Sequence, residues 1–299
     1  MDGFCAFILT HGRPHRQDTL NSLKRHGYTG RIIMLVDNED ATAPEYQELY
    51  GSMVQVFDKA DIASRIDEGD NFNDRRAIIY ARNACFEVAE KLGITHFVQL
   101  DDDYTDFRHK QDGRGEYING GRITDLDAVF AAMIDFLLAT PALSVAMSQG
   151  GDFPGGDVCT TRYKIKRKAM NSFFCSTERP FKFVGRINED VNTYTSLAAR
   201  GALFLTIPEI GLQQRLTQTN KGGMTHLYED SGTYVKSFYS VMYHPSTTRV
   251  GFDITCRRIH HRVRWRYTAA CILDESHRKR PPKAPGAAKS RRKREAAPE

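Results

Sequence analysis

The sequence predicts an α/β protein with a mostly parallel central sheet, helices on both of its faces and a less regular C-terminal half. Two observations predict it. Short continuous apolar runs alternate with stretches of helical periodicity, the pattern of strands covered on both faces and joined by crossover helices. Those runs also end on polar residues, "THGR" at 10–13, "DNED" at 37–40 and "DDD" at 101–103, and in open parallel sheets ligands sit beyond the carboxyl ends of the strands.

The elements follow in order. "FCAFILT" (4–10) reads as the first strand, and "RQDTLNSLKRHG" as a helix with Leu20 and Leu23 on its apolar face and Gly27 as its stop. "RIIMLVD" (31–37) is a second strand, "PEYQELYGSM" a short helix and "MVQVFD" a third strand. Residues 74–92 place Ile78, Ala81, Cys85, Val88, Ala89 and Leu92 on one helical face, and Gly93 closes that helix before the strand "THFVQL". "DLDAVFAAMIDFLLATPA" (125–142) is a helix and "LSVAMSQGG" a strand running into a glycine turn. Later, "RYKIKRKAMNSFFCST" has strand character, "NEDVNTYTSLAARG" reads as a helix closed by Gly201, and "ALFLTIPEI" as a strand. The stretch 217–232 is a polar, glycine-rich loop, and "TYVKSFYSVMYHP" a helix ended by Pro245.

The 299 residues, 40% of them hydrophobic, suffice for one large core, so the expectation is a single domain over 1–277 followed by a tail. No apolar run follows a basic start and none reaches the ~18 residues of a membrane span, which points to a protein of the cytoplasm. Six scattered cysteines without a CxxC pair argue against a zinc knuckle or a redox dithiol. The formal net charge of +5 is unevenly spread: residues 257–299 hold 14 Lys and Arg against 4 Asp and Glu, whereas residues 1–256 hold 28 against 33. Within the basic end, "RKRPPKAPGAAKSRRKREAAPE" (278–299) has no large apolar residue, so it cannot offset its ordering entropy and is expected to be disordered. A basic tail suits a polyanion; its ordinary alternative is a solubilising role.

The chemistry concentrates at Asp101, Asp102 and Asp103. If the strand runs through them, Asp101 and Asp103 share one side and Asp102 faces away. Two carboxylates aimed at one point suit Mg²⁺ or Mn²⁺, which one or two carboxylates commonly hold together with substrate phosphates; surface acids of a loop are the ordinary alternative. There is no GxGxxG after the first strand and no GxxxxGK[ST], so a dinucleotide fold and a P-loop are unsupported. Glu189 and Asp190 open a helix, where acids are favourable as caps or available as bases.

"YARNACFEVAEKLGITHFVQLDDD" (80–103) joins an A-R-N helix to a strand ending in acids, and this pairing resembles glycosyltransferases of the GT-A fold. The resemblance implies a nucleotide-sugar donor, UDP-linked, with Mn²⁺ or Mg²⁺ on its diphosphate. It assigns Thr10, His11, Arg13 and Asp37 to the nucleotide pocket, Arg82 to the diphosphate, Asp101 and Asp102 to the donor side, Asp101 and Asp103 to the metal, and Asp190, with Glu189 beside it, to the acceptor as catalytic base in an inverting displacement. A late histidine often completes the metal site in that fold; His226 and His244 are both candidates, while Gln213 or Gln214 stands near where relatives carry it. The loop around Lys221, Gly222 and Gly223 is a candidate closure over the donor.

More narrowly, "THGRP", "LVDNED", "ARN…LDDD", "NEDVNTY" and "QTNKGGM" together resemble the TET-associated glycosyltransferases of phages, relatives of the base J glucosyltransferase, over about residues 4–255. Members of that group are implicated in adding sugar to 5-hydroxymethylpyrimidines in DNA. The resemblance thus implies DNA as acceptor, helped by the basic tail, in the cytoplasm of an infected bacterium. The rival expectations are a GT-A enzyme acting on a polysaccharide, lipid or protein, an inactive nucleic-acid-binding module on the same fold, and a nucleotidyltransferase.

Overall fold

A computed structural model describes residues 3–118, 120–149, 172–214, 234–253, 257–264 and 267–268. Eight strands form one sheet in the order β3-β2-β1-β4-β7-β6-β8-β5. They are β1 (Phe4–Leu9), β2 (Arg31–Asp37), β3 (Val54–Phe57), β4 (His96–Asp101), β5 (Tyr104–His109), β6 (Ala142–Gln149), β7 (Ser172–Ser176) and β8 (Leu203–Gln214). The pairs β1–β2, β2–β3, β1–β4 and β6–β8 are parallel, while β7 and β5 run against their neighbours. This is the α/β layout that the sequence predicts, a mostly parallel sheet between helices; β7 falls in the stretch 162–177 read as strand, whereas the antiparallel β5 was not singled out.

The helices are α1 (Asp18–Arg25), α2 (Ala43–Tyr50), α3 (Lys59–Ala63), α4 (Ile79–Lys91), α5 (Leu126–Leu138), α6 (Glu189–Ala198) and α7 (Tyr234–Tyr243). Strand alternation divides the core into two layers. Cys5, Phe7 and Leu9 of β1 join Ile79, Ala84, Cys85 and Val191 on one face, while Phe4, Ala6 and Ile8 join Leu20, Leu23, Phe130 and Met133 on the other. Burial on both faces is why these strands read as unbroken apolar runs.

Local signals set the ends of the elements. Asp125 caps α5 by accepting from the Ala128 amide at 2.9 Å, and Asp58 caps α3 through the Asp61 amide. Gly27 after α1 has φ +79°, and a Cβ there would lie 2.5 Å from the Thr124 carbonyl oxygen, so only glycine fits this turn. The fourth helix starts at Ile79 rather than near 74, because Asp70 and Asp74 are held outside the helical register by Arg186. Besides β5, the sequence reading missed the short α3 and an antiparallel hairpin of β9 (Thr248–Asp253) and β10 (Arg258–Val263). No helix among the described residues is long and apolar enough to cross a membrane. The 217–232 loop, with Lys221, Gly222, Gly223 and His226, and the 278–299 tail lie outside the described residues.

Candidate active site

Parallel pairing brings the carboxyl ends of β1, β2 and β4 together: Leu9 pairs with Leu35 and with Asp101. The aspartate triplet is not one continuous strand. Asp101 ends β4, and Asp102 and Asp103 form the turn into β5. Helix α1 clamps that turn from outside: Thr19 donates through its hydroxyl to the Asp101 carbonyl at 2.5 Å and through its amide to the Asp102 carbonyl at 3.2 Å. The same hydroxyl accepts from the Tyr104 amide at 2.9 Å.

Each of the three carboxylates has a different environment. Asp102 is buried and accepts from Thr10 Oγ1 at 2.9 Å and Arg13 Nη1 at 2.8 Å. Thr10 is in turn saturated by Gln17 Nε2 and the Tyr46 hydroxyl. Thr10 and Asp102, expected on the nucleotide side, form an internal brace that orients Arg13. Asp101 accepts from Arg82 Nη2 at 3.0 Å and is 21% exposed. Asp103 is half-buried, and its side chain has no bonded partner among the described residues.

Arg82, the arginine of the A-R-N helix, is 1% exposed and bridges two elements far apart in sequence: Nη2 to Asp101, and Nε to Glu189 Oε1 at 2.9 Å. Its guanidinium lies over the rings of Phe173 and Phe183, 5.1 and 5.8 Å from their centroids. Gln99 holds its backbone carbonyl at 3.0 Å. Nη1 is buried without a hydrogen-bond partner among the described residues. Glu189 and Asp190 are the first turn of α6, which starts after Asn188 in the left-handed conformation at φ +55°, a geometry asparagine tolerates better than most residues. Asp190 is half-buried, and no hydrogen bond engages its side chain among the described residues.

These carboxyls share too little positive charge. Burial, and then the repulsion of Asp103, Asp102 and Asp190, outweigh the attraction of Arg82 and push Asp101 up to about 7. Burial and Asp102 raise Asp103 to about 6. Burial and Asp190, against Arg82, raise Glu189 to about 7. One buried guanidinium cannot neutralise this many acids. The donor set is all carboxylate oxygen, which fits a hard divalent cation. Among the described residues no group of three or more His, Cys, Asp or Glu could hold a metal ion by itself. Asp101 and Asp103 could therefore hold such a cation only with further oxygens from elsewhere, and phosphate commonly supplies these to Mg²⁺.

The sign of this strain is testable. A carboxyl whose pKa is raised by folding favours the folded state most below its unfolded pKa, and that advantage is lost as pH rises through the folded value. With metal chelated, the melting temperature is expected to fall between about pH 5 and about pH 8, and Mn²⁺ to raise it more at the higher pH. Thermal melts with EDTA or Mn²⁺ check this; a melting temperature that climbs over that interval without metal would contradict it.

On the neighbouring strand ends, His11 Nδ1 lies 2.7 Å from Asp37 Oδ2, and Lys59 Nζ lies 3.3 Å from Asp37 Oδ1. The hydrogen bond to Asp37 raises the His11 pKa against burial. Burial raises Asp37, but His11 and Lys59 outweigh it and the net shift is downward. Asp40 accepts from the Gly12 amide at 2.6 Å and so ties the two loops together. Sequence reasoning placed Asp40 at the strand end with Asp37 but missed Lys59 and the aromatic pair around Arg82. Lys59, directly after the third strand, was findable from its place at another strand end.

Of the two histidines expected as metal candidates, His226 lies outside the described residues and His244 stands away from these acids. His244 follows α7, lies 2.6 Å from Thr247 Oγ1 through Nδ1, and lines a cleft with Ser196, Leu197, Ala199 and Arg200 at the carboxyl end of α6. The acids open the amino end of that ten-residue helix, roughly 15 Å away at 1.5 Å per residue. Gln214 is nearer, opposite Tyr104 across the β5–β8 pair.

The family match agrees with the sequence resemblance. Residues 4–223 match the family described as TET-Associated Glycosyltransferase. No curated protein matches the chain in sequence. Among solved structures, a mannosyltransferase of Pyrobaculum calidifontis in complex with GDP-Man and Mn²⁺ is 12% identical at TM-score 0.44, over 73% of this chain and 58% of that one. The chain thus spans under two thirds of the mannosyltransferase. A glucosyl-3-phosphoglycerate synthase of Mycobacterium tuberculosis in complex with Mg²⁺ and UDP is 10% identical at TM-score 0.44, over 87% of each chain. Another structure of that synthase is 10% identical at TM-score 0.46, over 85% and 86%.

Proposed function

The chain belongs to the TET-associated glycosyltransferases, and on that premise we propose that it moves a sugar from a UDP-linked donor, held with Mn²⁺ or Mg²⁺, to the hydroxymethyl group of a 5-hydroxymethylpyrimidine in DNA. The observation that carries the reading is Arg82, fully buried and bonded at once to the last residue of β4 and the first of α6. It ties the aspartate turn to the Glu189–Asp190 turn, which supports reading them as two halves of one site. The acceptor rests on the family and on the basic residues concentrated after residue 256.

Asp101 and Asp103 would hold the cation, and the His11, Arg13 and Asp37 loops would line the nucleotide end. When bound, the cation neutralises charge that grows on the departing diphosphate. Arg82 adds a fixed positive charge behind Asp101 and orients Glu189. Asp190, free of hydrogen bonds, takes the proton of the acceptor hydroxyl as that oxygen attacks the anomeric carbon, in an inverting displacement.

Replacing Asp190 by asparagine is expected to lower transfer by about 10²–10⁴-fold while the protein still binds Mn²⁺–UDP, because Asp190 bonds neither Arg82 nor the triplet. Steady-state transfer beside calorimetric UDP titration checks it, and equal transfer rates would remove Asp190 as base. The reaction itself is tested by intact mass of hydroxymethylated and unmodified oligonucleotides incubated with nucleotide sugars and Mn²⁺. A one-hexose gain confined to hydroxymethylated DNA is expected; no gain with any donor would overturn the acceptor.

A further inference from the structure

The acids around Asp101 and Asp190 repel a polyanion, so a DNA acceptor needs cations nearby to hold its phosphates. The hairpin beyond the family-matched residues supplies them. In its register Arg262 stands directly opposite Arg249 and His260 opposite Gly251, and directly paired residues share one face of the ribbon. Arg249, Arg258, Arg262 and Arg264 are exposed, and no ion pair links them to an acid among the described residues. Like charges directly opposite destabilise a ladder, and a bound anion removes that cost. Arg262 is held in place: Nη2 donates to the Phe252 carbonyl at 2.6 Å, and a Cβ on Gly251 would lie 3.0 Å from its Nε.

The hairpin is joined to the helix that carries the catalytic acids. Ser237 of α7 donates to the Ile259 carbonyl at 3.2 Å, and α7 packs against α6 as well as against both hairpin strands. From β10, His261 Nδ1 lies 3.4 Å from Nδ2 of Asn188, the residue just before Glu189 and Asp190. The Ile259 contact is through its backbone carbonyl and the centroid of the His260 ring lies 4.4 Å from that of His261, while the side chains of Arg249, Arg258 and Arg262 are exposed.

We propose that the arginine face of the β9–β10 hairpin is the docking surface for the phosphodiester backbone of DNA, holding the acceptor against the amino end of α6. The assignment rests on the DNA reading above, and it places the main phosphate contacts on a folded element rather than on the 278–299 tail.

The test compares full-length wild type with Arg249→Gln/Arg262→Gln, using fluorescence anisotropy of a labelled hydroxymethylated duplex across a salt series. The double variant is expected to bind about tenfold more weakly, with a log K against log salt slope shallower by about 2, one per lost phosphate contact. Mn²⁺–UDP affinity should stay at the wild-type value. Arg249→Gln alone, at an exposed position that bonds no other part of the described fold, should flatten the slope by about 1 and guards against misfolding of the double variant. A full-length variant with Arg291, Arg292, Lys293 and Arg294 changed to Gln should keep the hairpin-dependent part of the slope. Wild-type DNA affinity and slope in both hairpin variants would overturn the docking surface while leaving DNA as acceptor. A wild-type protein that neither binds nor glycosylates the duplex would overturn both.

Discussion

Arg82→Ala is expected to cost the fold about 3–5 kcal/mol, because it strands two buried carboxylates without their cation. Asp101 and Glu189 already titrate near neutrality with Arg82 in place, at about 7 each. Without it both must take protons or draw water into the layer formed by Phe173 and Phe183. The loss also unties β4 from α6, so the transferase should fail in any fraction that remains folded. Arg82→Lys separates the two effects. A lysine keeps the charge but cannot span two carboxylates with a planar fork, so this variant should fold with a smaller loss and still transfer slowly. Equilibrium denaturation of both variants checks the ordering, and a wild-type midpoint for Arg82→Ala would contradict it.

Asp103→Asn should do the reverse: transfer falls by about 10²–10³-fold, the scale of losing one electrostatic contact to a developing charge, while metal-free stability is unchanged or raised. The opposite signs follow from position. Asp103 bonds nothing in the described fold and is pushed up to about 6 by burial and by Asp102. An amide of the same shape therefore relieves repulsion and removes a ligand. Denaturation in EDTA beside a transfer assay in Mn²⁺ reads both signs. Destabilisation together with normal turnover would make Asp103 a structural residue.

Much of this was legible in the sequence, for a physical reason. Strands buried on both faces need apolar residues at every position, so β1, β2 and β4 stood out as continuous runs, and the α4–β4 pairing of Arg82 with the acids survived as a local motif of about two dozen residues. Long-range relations were not legible. That Asp102 turns inward to Thr10 and Arg13 while Asp101 turns to Arg82 depends on contacts spanning 89 to 92 residues for the first pair of partners, and strand alternation misleads once the chain leaves β4 for a turn. His244 looked equivalent to any late histidine because sequence distance does not reveal which end of α6 it meets. The hairpin was hidden for another cause. It is half-exposed and arginine-rich, so it lacks the apolar run by which the other strands announced themselves.

The central claim is that a divalent cation shared with the donor diphosphate relieves the crowding of acids at 101–103. Calorimetric titration of UDP into the protein, with EDTA and then with Mn²⁺, tests it most directly when repeated on Asp103→Asn. The account predicts tight binding only in Mn²⁺ for the wild type and little gain from Mn²⁺ for the variant. Equal UDP affinity with and without Mn²⁺ in the wild type would contradict it.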